Sequence, residues 1–252
     1  SIGLSVVAYA LATGSVNMGY IASGLFASCD SFPLMAIPFF ILSGALMEGG
    51  GLSKRLVLFF DSLVGHLTGG LAIVTVITCM FFGAISGSGP ATTAAVGAIM
   101  VPTMVEKGYD KKFAMALVAA SGCLGVIIPP SIPFVLYSTS AGTSVGDMFI
   151  AGIVPGLLLG GLLMIYAVYY SARRGEDRVR INAVMGELRG QGFLRLFLDS
   201  FWALLTPVII LGSIYGGIAT PTEAAVISVY YALFVSVFIY KTIKVSEIPA
   251  VF

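Results

Sequence analysis

Few residues in this sequence could do chemistry, and their arrangement narrows the choice. Gly142-Thr143-Ser144-Val145-Gly146 matches the GxSxG pattern of a serine nucleophile on a sharp turn. Such a serine needs a base, and the only histidine is His66. Charge and hydropathy set His66 and Ser144 on opposite faces of a membrane, so the match reads first as a short glycine-rich loop. An intramembrane serine hydrolase using Ser144 and His66 stands as an alternative. A single histidine excludes multi-histidine metal sites. Cys29, Cys79 and Cys123 are odd in number and widely spaced, which argues against a disulfide framework or a metal knuckle. No GxxxxGK(S/T) phosphate loop occurs, so no nucleotide hydrolysis drives this chain.

A different polarity stands out: uncharged, and placed where helices must break. Ser86-Gly87-Ser88-Gly89-Pro90-Ala91-Thr92-Thr93 lies inside a long apolar stretch. A Ser/Gly/Pro cluster cannot continue one helix. Two helical arms meeting at this tip make a re-entrant hairpin, with Ser88 as cap and Pro90 in the first turn of the second arm. The second break is Gly125-Val126-Ile127-Ile128-Pro129-Pro130-Ser131. Two consecutive prolines remove two backbone donors, so the carbonyls of residues 124–126 are expected to lose helical partners. Both breaks are expected near mid-membrane, where irregular backbone survives only when buried in protein or lining a wet cavity. Half-helix C-termini and unwound carbonyls suit a small hard cation such as Na⁺, and half-helix N-termini suit a carboxylate. Neither break contains an acid, which points to Na⁺ held by dipoles and neutral oxygens rather than to a proton relay. Prolines and glycines that merely kink packed helices would leave a non-transporting scaffold, the third alternative.

The elements that must position these breaks follow from composition. Of the 252 residues, 58% are hydrophobic and 10% charged, with mean hydropathy +1.02. A soluble domain carries about 25% charged residues. The chain is therefore an all-α polytopic membrane protein, which excludes nucleic-acid binding, soluble enzyme chemistry and disorder. The net charge is +1. Crossings are expected over residues 113–140, 148–172, 197–216 and 221–240. The basic residues fall into four clusters: Lys54/Arg55, Lys107/Lys111/Lys112, residues 173–195, and Lys241/Lys244. Even numbers of crossings put all four on one face, and the positive-inside rule makes that face cytoplasmic. Leu52, Leu56, Phe59, Phe60, Leu63, Val64 and Leu67 share one helical face, which predicts an amphipathic helix in the cytoplasmic interface. Residues 192–202 look partly similar. Thr220-Pro221-Thr222-Glu223 reads as a capping box, and Gly152, Gly156 and Gly160 as a close-packing face. The chain opens inside an apolar run with no secretory n-region, as though it continued upstream.

At these residues the chain resembles the large membrane subunit (M, or permease) of tripartite ATP-independent periplasmic (TRAP) transporters, over the N-terminal part of the family chain. The resemblance rests on six stretches in order. They are Phe32-Pro33-Leu34-Met35-Ala36-Ile37-Pro38-Phe39-Phe40-Ile41-Leu42-Ser43-Gly44, Gly65-His66-Leu67-Thr68-Gly69-Gly70-Leu71-Ala72, Ile85-Ser86-Gly87-Ser88, Ile127-Ile128-Pro129-Pro130-Ser131-Ile132, Ala151-Gly152-Ile153-Val154-Pro155-Gly156 and Gly216-Gly217-Ile218-Ala219-Thr220-Pro221-Thr222-Glu223-Ala224-Ala225.

The resemblance implies an elevator-type secondary transporter, similar to the ion-transporter superfamily and not an enzyme. Its inner-membrane complex would contain a small membrane subunit and a periplasmic substrate-binding protein, importing a carboxylate such as a sialic acid or a dicarboxylate with Na⁺. It implies scaffold helices over residues 1–50, an interfacial arm over 51–68, and half a transport domain over 69–146, with the hairpin at 69–106 and the broken helix at 111–141. Further transmembrane helices would follow over 147–252, around a cytoplasmic basic loop at 173–195. Carried onto this sequence, the Na⁺ ligands are Ser86, Gly87, Ser88, Thr92, Thr93, Gly125, Val126, Pro129 and Ser131. The substrate contacts are Ser88, Gly89, Thr92, Pro130 and Ser131. The family chain goes on to a second hairpin and a second broken helix, so this sequence is expected to hold half of the site and not to transport alone.

Overall fold

A computed structural model of the chain describes residues 2–14, 17–174 and 193–243, and every regular element among them is helical. α1 (Ile2–Thr13) and α2 (Met18–Cys29) have 12 residues each, about 18 Å of helix, which is short of a bilayer core of about 30 Å. Within residues 1–50, Phe32–Gly49 has the length and apolarity of a span. There a 3₁₀ turn, Phe32–Met35, runs into α3, Ala36–Gly49. The arm follows as α4, Leu52–Val64. Then come α5 (Gly70–Ser86), α6 (Gly89–Glu106), α7 (Lys111–Gly122), the single turn α8 (Leu124–Ile127) and α9 (Ile132–Ala141). α10 (Val145–Arg174), α11 (Phe193–Tyr215) and α12 (Pro221–Phe234) complete the set, and α12 ends in a π-helical turn, Val235–Ile239.

Helices long and apolar enough to cross a membrane fall where crossings are expected, and Phe32–Gly49 adds one more. Phe32–Gly49, Val145–Arg174, Leu196–Tyr215 and Pro221–Ile239 each have the length and apolarity of a span. A fifth is the broken pair Lys111–Ile127 and Ile132–Ala141, bent by 40°. Residues 192–202, read as partly interfacial, instead supply the first turns of the continuous helix α11 from Phe193 onward. The basic loop expected at 173–195 lies outside the described residues from 175 to 192.

α10 seats the broken helix through the glycine face that the sequence marked. A Cβ on Gly152 would meet the Phe134 ring and the Ile127 carbonyl, and one on Gly156 would lie 2.7 Å from Ile128 Cγ1. A Cβ on Gly160 would lie 2.5 Å from Met80 Sδ of α5. The capping box at α12 is complete: Thr220 N–H donates to Glu223 Oε2 at 2.8 Å, and Glu223 N–H donates to Thr220 Oγ1 at 3.3 Å.

The arm is more deeply packed than an interfacial helix need be. Leu52, Leu56, Phe59 and Phe60 are buried among residues of α5 and α11. Phe59 lies 6.0 Å from Phe197 and Phe60 lies 4.9 Å from Phe81, centroid to centroid. Ser53 and Asp61, which spacing places on the polar face, are buried too. Only Leu63 and Leu67, toward the far end of the apolar stripe, remain exposed. The hydrophobic stripe thus serves protein packing as well as an interface, because α11 docks along the arm and Ser200 Oγ donates to Arg55 O at 3.0 Å.

Ion pairs and cation–π contacts tie the ends of several helices together. Lys107, just past α6, pairs with Asp61 of the arm at 4.0 Å, and Arg174 of α10 with Asp110 at 3.6 Å. Arg55 lies 3.8 Å over the Tyr240 ring and donates to Gly50 O at 3.1 Å. Thr222 Oγ1 donates to Phe32 O at 3.2 Å, joining the start of α12 to the 3₁₀ turn before α3.

Burial pushes the Asp61 carboxyl above its usual 3.8, and Lys107 pulls it partly back. Removing that cation leaves a buried carboxylate uncompensated, a loss of roughly 3 kcal/mol. A carboxyl whose folded pKa is raised favours the folded state below its ordinary pKa, and that contribution is lost as pH rises through the raised value. Lys107→Ala is therefore expected to lower the melting temperature of the detergent-purified protein at pH 7.5. The deficit should shrink toward pH 4.5, and Lys107→Ala/Asp61→Asn should recover most of it at neutral pH.

Candidate functional site

The hairpin tip is built by two conformations that its sequence selects. Gly87 closes α5 in the left-handed region at φ 64°, and its N–H donates to Gly83 O at 2.8 Å. Ser88 follows in extended backbone and opens α6, its Oγ accepting the Ala91 N–H at 3.4 Å. Beneath the tip the hydroxyls join: Ser86 Oγ lies 3.2 Å from Thr92 Oγ1, which donates to Ser88 O at 2.8 Å. Ser86 and Thr92 are 2% and 0% exposed, so these oxygens sit in protein and not in lipid.

The break repeats the same start. Ser131 caps α9 with Oγ accepting from Phe134 N–H at 3.4 Å, followed by Pro133 as Ser88 is followed by Pro90. Its φ and ψ, −129° and 122°, match the −129° and 121° of Ser88. This Ser-x-Pro echo was in the sequence and could have been read there. The Pro129–Pro130 peptide bond is cis. One expectation needs correction. Leu124 O keeps a partner, accepting the Ile128 N–H at 2.8 Å. The prolines stand four residues after Gly125 and Val126, so only those two carbonyls lose their helical donors. Val126 O is taken up by Ser131 Oγ at 2.5 Å.

Hairpin and break are one unit. Ile132 N–H donates to Gly87 O at 3.1 Å, joining the two irregular segments through backbone. Glycines let them approach. A Cβ on Gly87 would lie 2.9 Å from Pro130 O, and one on Gly125 would lie 2.6 Å from Thr92 Oγ1 and 3.1 Å from Ser88 O. Gly83 abuts the Gly125 backbone, and Gly122 abuts Thr93. A Cβ on Gly89 would lie 2.6 Å from Val126 Cγ2.

Of the expected ligands, Ser86, Gly87, Ser88, Thr92, Gly125, Val126, Pro130 and Ser131 converge. Pro129 is buried beside them in the break. Thr93 turns aside: its Oγ1 donates to Gly89 O at 2.9 Å and faces Gly122 across the α6–α7 seam. Sequence reasoning missed Gly83 and Gly122, which bring the helices into backbone contact. A glycine within an apolar helix carries little signal until its neighbour is known. The donor set fits a small hard cation: neutral hydroxyls and carbonyls, with the negative ends of α5 and α8 and the positive ends of α6 and α9 brought together.

Residues 1–252 match the family model described as Tripartite ATP-independent periplasmic transporter, DctM component. The chain belongs to this family. It is 50% identical over 246 residues to the isethionate TRAP transporter permease protein DctMQ of Oleidesulfovibrio alaskensis, covering 96% of this chain and 38% of that protein. It is 45% identical over 251 residues to the C4-dicarboxylate TRAP transporter large permease protein DctM of Pseudomonas aeruginosa, covering 100% of this chain and 57% of that protein. It is 38% identical over 246 residues to the sialic acid TRAP transporter large permease protein SiaM of Vibrio cholerae, covering 96% and 56%. The chain thus spans about 38% to 57% of the length of these curated relatives.

These relatives are permease components and not enzymes, and the geometry of this chain agrees. Ser144 sits at the start of α10, its Oγ accepting from Asp147 N–H at 3.3 Å. His66 lies three residues before Gly69, which backs onto Ala167 and Val168 near the opposite end of α10. Some 23 residues of helix, roughly 35 Å, separate the two ends. No hydrolase can be assembled from them.

The glycine contacts give a test. Gly83→Ala and Gly125→Ala each drive a methyl into neighbouring backbone or hydroxyl, and overpacking of this kind costs about 1–3 kcal/mol. Each is expected to lower the melting temperature of the purified protein. Gly161→Ala, where a Cβ meets nothing within 4 Å, should leave it unchanged or raise it.

Proposed function

We propose that this chain forms half of the cation and substrate site in the large permease of a Na⁺-coupled importer of small organic anions. The observation that supports this best is the junction of two broken membrane segments in a buried site lined by hydroxyls and carbonyls, with no charged side chain in either break. A carboxylate-lined site would favour protons or divalent cations. Neutral oxygens favour a monovalent ion whose charge is balanced by helix C-termini.

Na⁺ would be held by Ser86, Gly87, Ser88, Thr92, Gly125, Val126, Pro129 and Ser131. Thr93 would contribute through the packing of α6 on α7. Ser88, Gly89, Thr92, Pro130 and Ser131 would meet the substrate at the N-terminal ends of α6 and α9, where the dipoles favour an anion. The bound cation would neutralise part of the field and make the site attractive to that anion, which couples the two. Relatives are named for C4-dicarboxylate, sialic acid, 2,3-diketo-L-gulonate and isethionate. Isethionate is a sulfonate, so the shared feature is an oxyanion head rather than a carboxylate alone. The family's tripartite description supports a small membrane subunit and a periplasmic binding protein as partners, with the other half of the large subunit completing the site. The basic clusters would face the cytoplasm of a bacterial inner membrane by the positive-inside rule. Half a transport domain moving against α3, α11 and α12 would suit an elevator motion.

The full-length permease, its small subunit and its binding protein should be reconstituted in proteoliposomes and offered labelled sialic acid, succinate, 2,3-diketogulonate and isethionate. Uptake of one of them is expected to need an inward Na⁺ gradient. Ser131→Ala should raise the Na⁺ concentration for half-maximal uptake about tenfold, equivalent to ~1.4 kcal/mol. Uptake indifferent to Na⁺ would overturn the coupling, and no uptake by an assembled complex would favour a scaffold.

A further inference from the structure

The cation site proposed above has a neighbour outside the hairpin and the break. Ser86 ends α5 with its Oγ in the hydroxyl network, and its main chain rests on α3. A Cβ on Gly44 of α3 would lie 3.0 Å from Ser86 Cβ and 3.1 Å from Ser86 Cα. Carbon atoms pack best at about 3.5–4.0 Å, so the bare glycine is what permits this seat. Neither partner has slack. α3 is pinned to α12 near both ends, by Thr222 Oγ1 to Phe32 O at 3.2 Å and by Ser236 Oγ to Leu46 O at 3.2 Å. The last turn of α5 meets backbone elsewhere as well, through Gly83 on Gly125 and Gly87 under Pro130 O. Beside the seat, Ser43 Oγ is fully buried and has no hydrogen-bond partner. This contact is therefore shaped by close approach rather than by polar bonding.

We infer that Gly44 is a positioning residue for the cation site: its missing side chain fixes where Ser86 stands relative to Gly125 and Ser131. This rests on the reading of residues 86–93 and 125–131 as that site. A methyl at position 44 must displace Ser86 by a few tenths of an ångström. The displacement passes to Ser86 Oγ, to its neighbour Thr92 and to the Gly83–Gly125 contact. The result is a weaker cation site in an otherwise assembled permease. Because α3 belongs with α12 and not with the hairpin, the seat also ties ligand geometry to the position of the hairpin against α3.

The test uses the full-length permease with its small subunit and binding protein in proteoliposomes. Na⁺ half-saturation and maximal uptake are measured separately, together with the Na⁺-induced rise in melting temperature. Gly44→Ala is expected to raise Na⁺ half-saturation at least threefold, with a smaller change in maximal uptake, and to shrink the Na⁺-induced thermal shift. Ile41→Ala, on an exposed position of the same helix, should match the wild type. A cycle with Ser86 adds a change of sign. Alone, Ser86→Gly should be at least as harmful as Ser86→Ala. In the Gly44→Ala background it should be the milder of the two, because it removes the Cβ that the new methyl meets. If Gly44→Ala does not assemble, Ser86→Gly should restore assembly where Ser86→Ala does not, and equal failure of both overturns the inference. A wild type without Na⁺ dependence sinks the cation site itself. A Na⁺-dependent wild type that Gly44→Ala matches sinks only the role of Gly44.

Discussion

Backbone polar groups at membrane depth have no water to turn to, and the centre of this fold is arranged around that constraint. A hairpin tip or a broken helix alone would leave donors and acceptors unsatisfied in hydrocarbon, at several kcal/mol each. Here one bond joins the two segments and the rest are met within each. Gly87 O receives the Ile132 N–H, Val126 O receives the Ser131 hydroxyl, and Ser88 and Ser131 cap the helices that restart. The prolines that free carbonyls on one side of the break contribute no orphan N–H on the other. Two irregular segments are tolerable because they are one irregular core, and the acceptor capacity left over is what a cation could use.

That core is possible only where side chains are missing. Gly83 against Gly125, Gly87 against Pro130 and Gly122 against Thr93 are contacts between main chains or between main chain and hydroxyl. Gly152 and Gly156 on α10 then close over Ile127, Ile128 and Phe134. Without a hydrophobic drive between helices in lipid, such close approach is what holds them together. The larger apolar side chains work further out, where Phe59, Phe60, Phe81 and Phe197 join the arm to α5 and α11.

Much of this was legible in the residues. Hydropathy runs gave the crossings near α10, α11 and α12, and Ser86-Gly87-Ser88 and Pro129-Pro130 located both interruptions to within a residue or two. Thr220 to Glu223 read correctly as a capping box, because caps are local. What stayed hidden was relational. Asp61 and Ser53 fall on the polar side of the arm by spacing, yet tertiary packing buries both. Two prolines suggest that Leu124 O is free, yet the helical bond from Ile128 N–H survives just before them. The partner of a glycine is set by tertiary contact and has no periodicity to betray it.

Charge completes the argument by its distribution. The described ion pairs and cation–π contacts hold the ends of helices: Lys107 to the arm, Arg174 to the start of α7, Arg55 to the turn after α12. None approaches the breaks. Fixed charges at mid-membrane would set the local field permanently and would carry a desolvation cost in every state of the protein. In the proposed cation site, helix ends and hydroxyls would instead provide a field of intermediate strength that a monovalent ion balances and then leaves. Residues 86–93 and 125–131 are neutral, whereas the described ion pairs sit at helix ends, so charge and broken backbone are kept apart.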